Sequence, residues 1–132
     1  MQFHLSNFTD SESLSNAIRR IPYCNENTNT TGGLRLTRTE IFNTASGDRL
    51  DVPNVIVLLT DGNPTRETDL LGDEVQQIKN LDIRIVGVGV TNEVTDCTTM
   101  LVYFSHICIK LNVNLFKSCG AWMFLCKQCT QG

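Results

Sequence analysis

The sequence predicts an α/β protein with three layers, a mostly parallel sheet with helices on both faces. Two observations carry that expectation. Val55-Ile56-Val57-Leu58-Leu59 is an unbroken β-branched and apolar run, as a strand covered on both faces requires. A helical stripe of Leu71, Val75, Ile78 and Leu81 then separates it from a second such run, Ile83 to Val90. Strand, helix and strand in that order need a crossover connection, which joins parallel neighbours. The chain has 132 residues, room for one domain and not comfortably for two.

The elements follow in order. Gln2-Phe3-His4-Leu5 alternates polar and apolar, the pattern of a half-buried strand with His4 on its solvated face. Thr9-Asp10-Ser11-Glu12 has the spacing of a capping box, in which Thr9 and Glu12 satisfy each other's orphan amides. Leu14, Ala17, Ile18 and Ile21 continue at helical spacing until Pro22 stops the helix. A polar loop from Tyr23 to Thr31 leads to a second helix over about Gly32 to Phe42, and Ser46-Gly47-Asp48 is a turn signal. After the Val55–Leu59 strand comes Thr60-Asp61-Gly62-Asn63-Pro64, a loop rich in breakers, with Thr68 or Asp69 placed to cap the third helix.

Composition divides the chain near Asp96-Cys97. Residues 1–96 hold all fourteen acids, eight of the eleven cations, all three prolines and one cysteine, Cys24. Residues 97–132 hold no Asp, Glu or Pro but five cysteines, and are apolar at 21 of 36 positions against 33 of 96 before them. The expectation is an α/β unit over 1–96 and a cysteine-rich apolar tail over 97–132. A net charge of −3 without clustered cations argues against nucleic-acid binding. The weakly charged run Met100 to Leu125 is interrupted by His106, Lys110 and Lys117, which makes it a poor membrane span. No basic, apolar, small-residue pattern of a secretory signal follows Met1, and Met1-Gln-Phe-His-Leu reads as the middle of something.

In open α/β sheets ligands sit beyond the carboxyl ends of the strands, so Thr60 and Asp61 stand at the expected functional edge. A carboxylate there, with hydroxyls nearby, suits a hard cation such as Mg²⁺, which takes oxygen ligands. Against it stands ordinary turn chemistry, since Asp-Gly after a strand commonly makes a turn.

Several motifs in order sharpen this: Ile21-Pro22-Tyr23, then Asn27-Thr28-Asn29-Thr30-Thr31-Gly32-Gly33-Leu34, Glu40-Ile41-Phe42, Val55 to Gly62, and Ile85-Val86-Gly87-Val88-Gly89-Val90. Over about residues 1–95 the chain resembles the von Willebrand factor type A domain, in its type VI collagen and matrilin group. The resemblance implies a non-enzymatic, extracellular protein–protein adhesion domain, with matrix proteins such as collagen as partners. It also implies a metal-ion-dependent adhesion site at the sheet edge. Thr28 matches the family's threonine ligand in its second metal loop and Asp61 the aspartate of its third, while Thr30 caps or orients the following helix. Asn27, Thr30, Thr60, Gly62 and Asn63 would form the binding face. The family's Asp-x-Ser-x-Ser motif, carried after its first, central strand, does not occur in this sequence. Two ligands, one of them a neutral hydroxyl, cannot displace enough of the Mg²⁺ hydration shell, so the ion is expected only where the missing ligands are supplied. The central strand would pair beside Val55–Leu59, and without it the sheet is expected to keep an unpaired edge prone to aggregation.

Other motifs point to other classes. Gly87-Val88-Gly89 lacks the third glycine of a dinucleotide loop, since Asn92 stands there, so no nucleotide is expected and close packing in the sheet explains the glycines. An α/β hydrolase-like enzyme using Asp61 would need a second carboxylate, for which Glu67 and Asp69 are the nearby candidates. Cys126-Lys127-Gln128-Cys129, with Cys119 and either Cys108 or Cys97, would be the ligands of a small zinc module. Arg19-Arg20 and the Arg35/Arg38 pair read as solvated faces or ion-pair partners. Asn7-Phe8-Thr9 and Asn29-Thr30-Thr31 are glycosylation sequons, with meaning only in a secreted protein. In the tail, Leu101-Val102-Tyr103-Phe104 has the composition of a further strand, and no sustained period follows it.

Overall fold

The computed structural model describes residues 2–22, 27–60, 64–89, 108–110 and 122–125. Helix α1 spans Ser11–Arg19, α2 Thr30–Leu36 and α3 Leu71–Asn80; strands are β1 Val55–Thr60, β2 Arg84–Gly89, β3 Cys108–Lys110 and β4 Trp122–Leu125. The sheet has the order β3-β2-β1-β4. β1 pairs parallel to β2 from Val55 opposite Arg84 to Thr60 opposite Gly89, with α3 as the crossover. β3 runs parallel to β2, and β4 antiparallel to β1. This is an incomplete α/β domain, of the class that the strand–helix–strand pattern predicts.

The core lies on one face of the sheet. Ile56 and Leu58 of β1 and Ile85 of β2 meet Leu34 of α2, Leu71, Val75 and Ile78 of α3, and Ile83, with Phe42 packed against the cluster. Along β1 burial alternates: Ile56, Leu58 and Thr60 are buried while Val55, Val57 and Leu59 are half-buried. The apolar run thus behaves as a strand closed on one side and partly covered on the other.

Several local expectations are corrected. Residues 2–5 form no strand: the chain turns at His4–Asn7, with the Asn7 amide donating to the His4 carbonyl at 3.3 Å and the Asn7 side chain accepting from the His4 amide. His4 is half-buried rather than solvated. Phe3 and Phe8 pack edge to face, centroids 5.1 Å apart, which favours the turn over an extended segment. The cap of α1 is Asp10, not Thr9: its carboxylate accepts from the Ser13 amide at 2.8 Å and from the Ser13 hydroxyl at 2.7 Å. These bonds hold the Asp10 carboxyl below its ordinary value. A charged oxygen outcompetes a hydroxyl for the exposed amides of a first turn.

α2 begins two residues before the expected start, capped by Asn29, and continues into a π turn over Thr37–Ile41. The Thr37 hydroxyl donates to the Gly33 carbonyl (2.9 Å) and the Thr39 hydroxyl to the Arg35 carbonyl (3.0 Å), drawing on the acceptors of the preceding turn where the spacing widens. The turn at Ser46-Gly47 is as expected, with Gly47 left-handed at φ 89°. A Cβ on Gly47 would stand 2.8 Å from the Ser6 amide nitrogen, so the glycine lets the N-terminal segment lie against this turn, where the Ser6 amide donates to the Ser46 carbonyl at 3.2 Å. Thr68 and Asp69 do not cap α3 but form a 3-10 turn, Thr68–Leu70, that runs into it; Leu81, expected in the stripe, is exposed just past its end.

The sheet differs most at its edges. The edge of β1 expected to be bare pairs with β4, Ile56 opposite Leu125 and Leu59 opposite Trp122. β3 and β4 both come from beyond residue 96, where the sequence shows no period to announce them. The Leu101–Phe104 segment lies outside the described residues.

Candidate functional site

The expected functional edge is the carboxyl end of β1. Thr60, its last residue, is 3% exposed. Asp61, Gly62 and Asn63 lie outside the described residues, which resume at Pro64. The loop before α2 meets the chain just beyond this gap. The Thr28 amide donates to the Thr65 hydroxyl at 3.0 Å, and the Thr28 carbonyl accepts from the Thr65 and Arg66 amides at 2.9 and 3.2 Å. Thr28 and the loop after β1, far apart in sequence, are therefore held together by main-chain bonds.

The N-terminus of α2 is fastened to the same segment. The Asn29 Oδ1 accepts from the Gly32 amide at 2.7 Å while its Nδ2 donates to Glu67 Oε1 at 3.2 Å. The Thr31 hydroxyl donates to the Glu67 carbonyl at 2.8 Å. A Cβ on Gly32 would come within 2.8 Å of Asn29 Nδ2, so this position needs a glycine for the capping side chain to fit. Glu67 has a left-handed backbone, φ 50° and ψ 35°, which costs a non-glycine residue about 1–2 kcal/mol. Two hydrogen bonds and an ion pair hold it there: the Thr31 hydroxyl to its carbonyl, Asn29 to its carboxylate, and Arg35 Nη2 3.0 Å from its Oε2. The bond from Asn29, then that from Arg35, lower the Glu67 carboxyl below its ordinary value.

Behind it lies a buried ion pair. Glu74 of α3 is 3% exposed and takes both the Nε (2.6 Å) and Nη2 (3.1 Å) of Arg38, with Arg35 Nε at 3.6 Å from its Oε2. Charge-assisted bonding to Glu74 raises the Arg38 guanidinium above its ordinary value. The Arg35/Arg38 pair is thus an ion-pair ladder to Glu67 and Glu74 rather than a bare basic face.

Of the residues expected on the binding face, Asn27 is exposed and Thr30 and Thr60 are buried at 5% and 3% exposure; Thr28, expected as a metal ligand, is half-buried. Thr30 is the first residue of α2; Asn29 does the capping. Sequence reasoning passed over Thr31, Thr65 and the bonds of Glu67 to Asn29. Their pairing spans 36 to 38 residues, a separation at which no local pattern speaks. Among the described residues no group of three or more His, Cys, Asp or Glu side chains could hold a metal ion. Thr28 offers a neutral hydroxyl, and the nearby Glu67 carboxylate is matched by Arg35. The described residues therefore do not by themselves fit Mg²⁺, which needs anionic or carbonyl oxygens to replace its waters. The tail cysteines other than Cys108 lie outside the described residues, and of Cys108 only its place in β3 is described. Among the described residues no helix is long and apolar enough to cross a membrane.

Comparison with known proteins agrees with this geometry. Residues 1–102 match the von Willebrand factor type A domain. Matrilin-1 of Gallus gallus is 32% identical over 95 residues, covering 72% of this chain and 19% of that protein. Cochlin of Bos taurus is 31% identical over 89 residues, 67% of this chain and 16% of that protein. The chain thus spans less than a fifth of the length of these two relatives. Among solved structures, proximal thread matrix protein 1 from the mussel byssus superposes with a TM-score of 0.73 over 84% of this chain and 29% of that one, at 21% identity, a likeness of fold.

Proposed function

The chain belongs to the von Willebrand factor type A domain family, and on that premise we propose that it is a non-enzymatic adhesion module of the extracellular matrix. The module takes in the α/β unit over residues 1–96 and, from the cysteine-rich apolar stretch over 97–132, the strands β3 and β4 that pair into its sheet. Its partners are matrix proteins such as collagen, met at the carboxyl end of β1 by Asn27, Thr28 and the Asp61-Gly62-Asn63 loop. The observation that carries this reading is the bonding of Thr28 to Thr65 and Arg66, which fixes the loop before α2 to the chain that follows the strand end. A pre-formed surface loses less conformational entropy on docking than two independent loops. The engagement of Glu67 by Arg35 and Asn29 also speaks for adhesion over hydrolysis, since it occupies one of the two carboxylates that could serve an enzyme built on Asp61. Mg²⁺ joins Thr28 and Asp61 only where further oxygen ligands are supplied.

The test is biosensor binding of the full chain to immobilised fibrillar collagen, with Mg²⁺ and then with excess chelator. Saturable binding, unchanged by chelator and weakened about tenfold by Asn27→Arg, is the expected result, tenfold being about 1.4 kcal/mol. Absence of saturable binding overturns collagen as the partner. Binding abolished by chelator overturns the incomplete metal site.

A further inference from the structure

The two sequons have opposite surroundings, and we propose that Asn7 is an N-glycosylation site while Asn29 remains an unmodified structural residue. This rests on the extracellular reading above. The reaction needs a carboxamide nitrogen that is free of other bonds and a hydroxyl two residues on that the transferase can reach. The Asn7 Nδ2 attacks the anomeric carbon of an oligosaccharide carried on a lipid pyrophosphate. The new N–C bond forms as the C–O bond to the pyrophosphate breaks, the lipid pyrophosphate leaves with the bonding pair, and the amide gives up one proton to the transferase.

Asn7 meets both requirements. It is exposed in the His4–Asn7 turn, and its Oδ1 accepts from the His4 amide, which fixes the carboxamide by its oxygen. No described residue accepts a hydrogen bond from its Nδ2. Thr9, two residues on, is exposed. Asn7 also lines an open hollow of about 540 Å³ shared with Phe3, Phe8, Ala17 and Arg20, enough room for the first sugars beside the chain.

Asn29 meets neither. Its Nδ2 donates to Glu67, and the space beside that nitrogen is so tight that a Cβ on Gly32 would stand 2.8 Å away. The hydroxyl of its partner Thr31 is committed to the Glu67 carbonyl in a side chain that is 0% exposed. A glycan on Asn29 Nδ2 would have to fit the tight space between Gly32 and Glu67, so a chain modified there does not complete this fold and is not secreted in native form.

The test is secretion of the full chain from a eukaryotic host behind an added leader, which imposes the compartment whatever the natural one. Intact mass before and after endoglycosidase, with peptide mapping, reads the site directly on the unmutated protein. One glycan on the Asn7 peptide and none on the Asn29 peptide is expected, with the mass shift lost in Asn7→Gln and in Thr9→Ala. A secreted chain without glycan, or with glycan on Asn29, overturns the proposal. Because the leader is supplied, neither outcome bears on collagen binding, so the adhesion reading stands or falls separately.

Discussion

Glu74 is the residue on which the packing of α2 and its following π turn against α3 is most exposed to failure. It is a carboxylate at 3% exposure, and its bonds to Arg38 are what make that burial tolerable. Removing one partner of a buried pair strands the other charge, whereas replacing both by apolar side chains of similar size is often neutral. Glu74→Ala should therefore lower stability by about 3–5 kcal/mol, and the double change Arg38→Met with Glu74→Leu should restore most of the loss. Urea unfolding of the three proteins checks this, and a double variant as unstable as the single one would refute it. At this scale the sequence was only partly legible. Arg38 could be read as an ion-pair partner from its place on a helix, but nothing local says that its partner sits 36 residues on and buried.

The N-terminus of α2 shows what an element needs beyond its own residues. Its cap, Asn29, and its bond to Glu67 tie a seven-residue helix, too short to persist alone, to the chain leading to α3. Because the folded Glu67 carboxyl lies below its ordinary value of 4.5, the fold favours its charged form. The stabilisation is fully present above pH 4.5, the unfolded value, and is lost as pH falls through the lower folded one. Melts of the unmutated chain and Glu67→Gln should differ at pH 7 and converge at the acid end; an unchanging difference would place the effect elsewhere. Helix existence was legible in all three cases because apolar spacing and capping residues are local. Burial was not: α1 has the expected stripe of Leu14, Ala17 and Ile18, yet none of its residues is buried. A stripe names the face that seeks cover, not the element that supplies it. The short tail strands were illegible for a related reason, since strands of three and four residues owe their form to the neighbours they pair with.

For the whole molecule, the decisive feature is how the sheet is closed. The absent Asp-x-Ser-x-Ser motif and its strand led to the expectation of a bare edge on β1. The edge itself is covered by β4 in antiparallel register. An uncovered strand edge is a template for pairing with other chains. A chain ending at residue 110 should therefore melt at a lower temperature than the full one and elute as oligomers in size-exclusion chromatography with light scattering. A monomer of unchanged melting temperature would mean that β4 adds nothing to the fold.

Synthesis adds a time dimension to that closure. Leu125 stands 69 positions after its partner Ile56, while β2 follows β1 after a single helix. At about 5–20 residues per second, the ribosome takes roughly 3–14 s to make the stretch between them. For about 2–7 s of that interval, while the 36 residues from Gly89 to Leu125 are made at the same rate, β1 and β2 exist and the strand that pairs with the free edge of β1 does not, long enough for a chaperone, or a neighbouring nascent chain on the same message, to reach the edge first. Codon choice between residues 89 and 122 thus becomes a determinant of yield for a protein in which β4 guards β1.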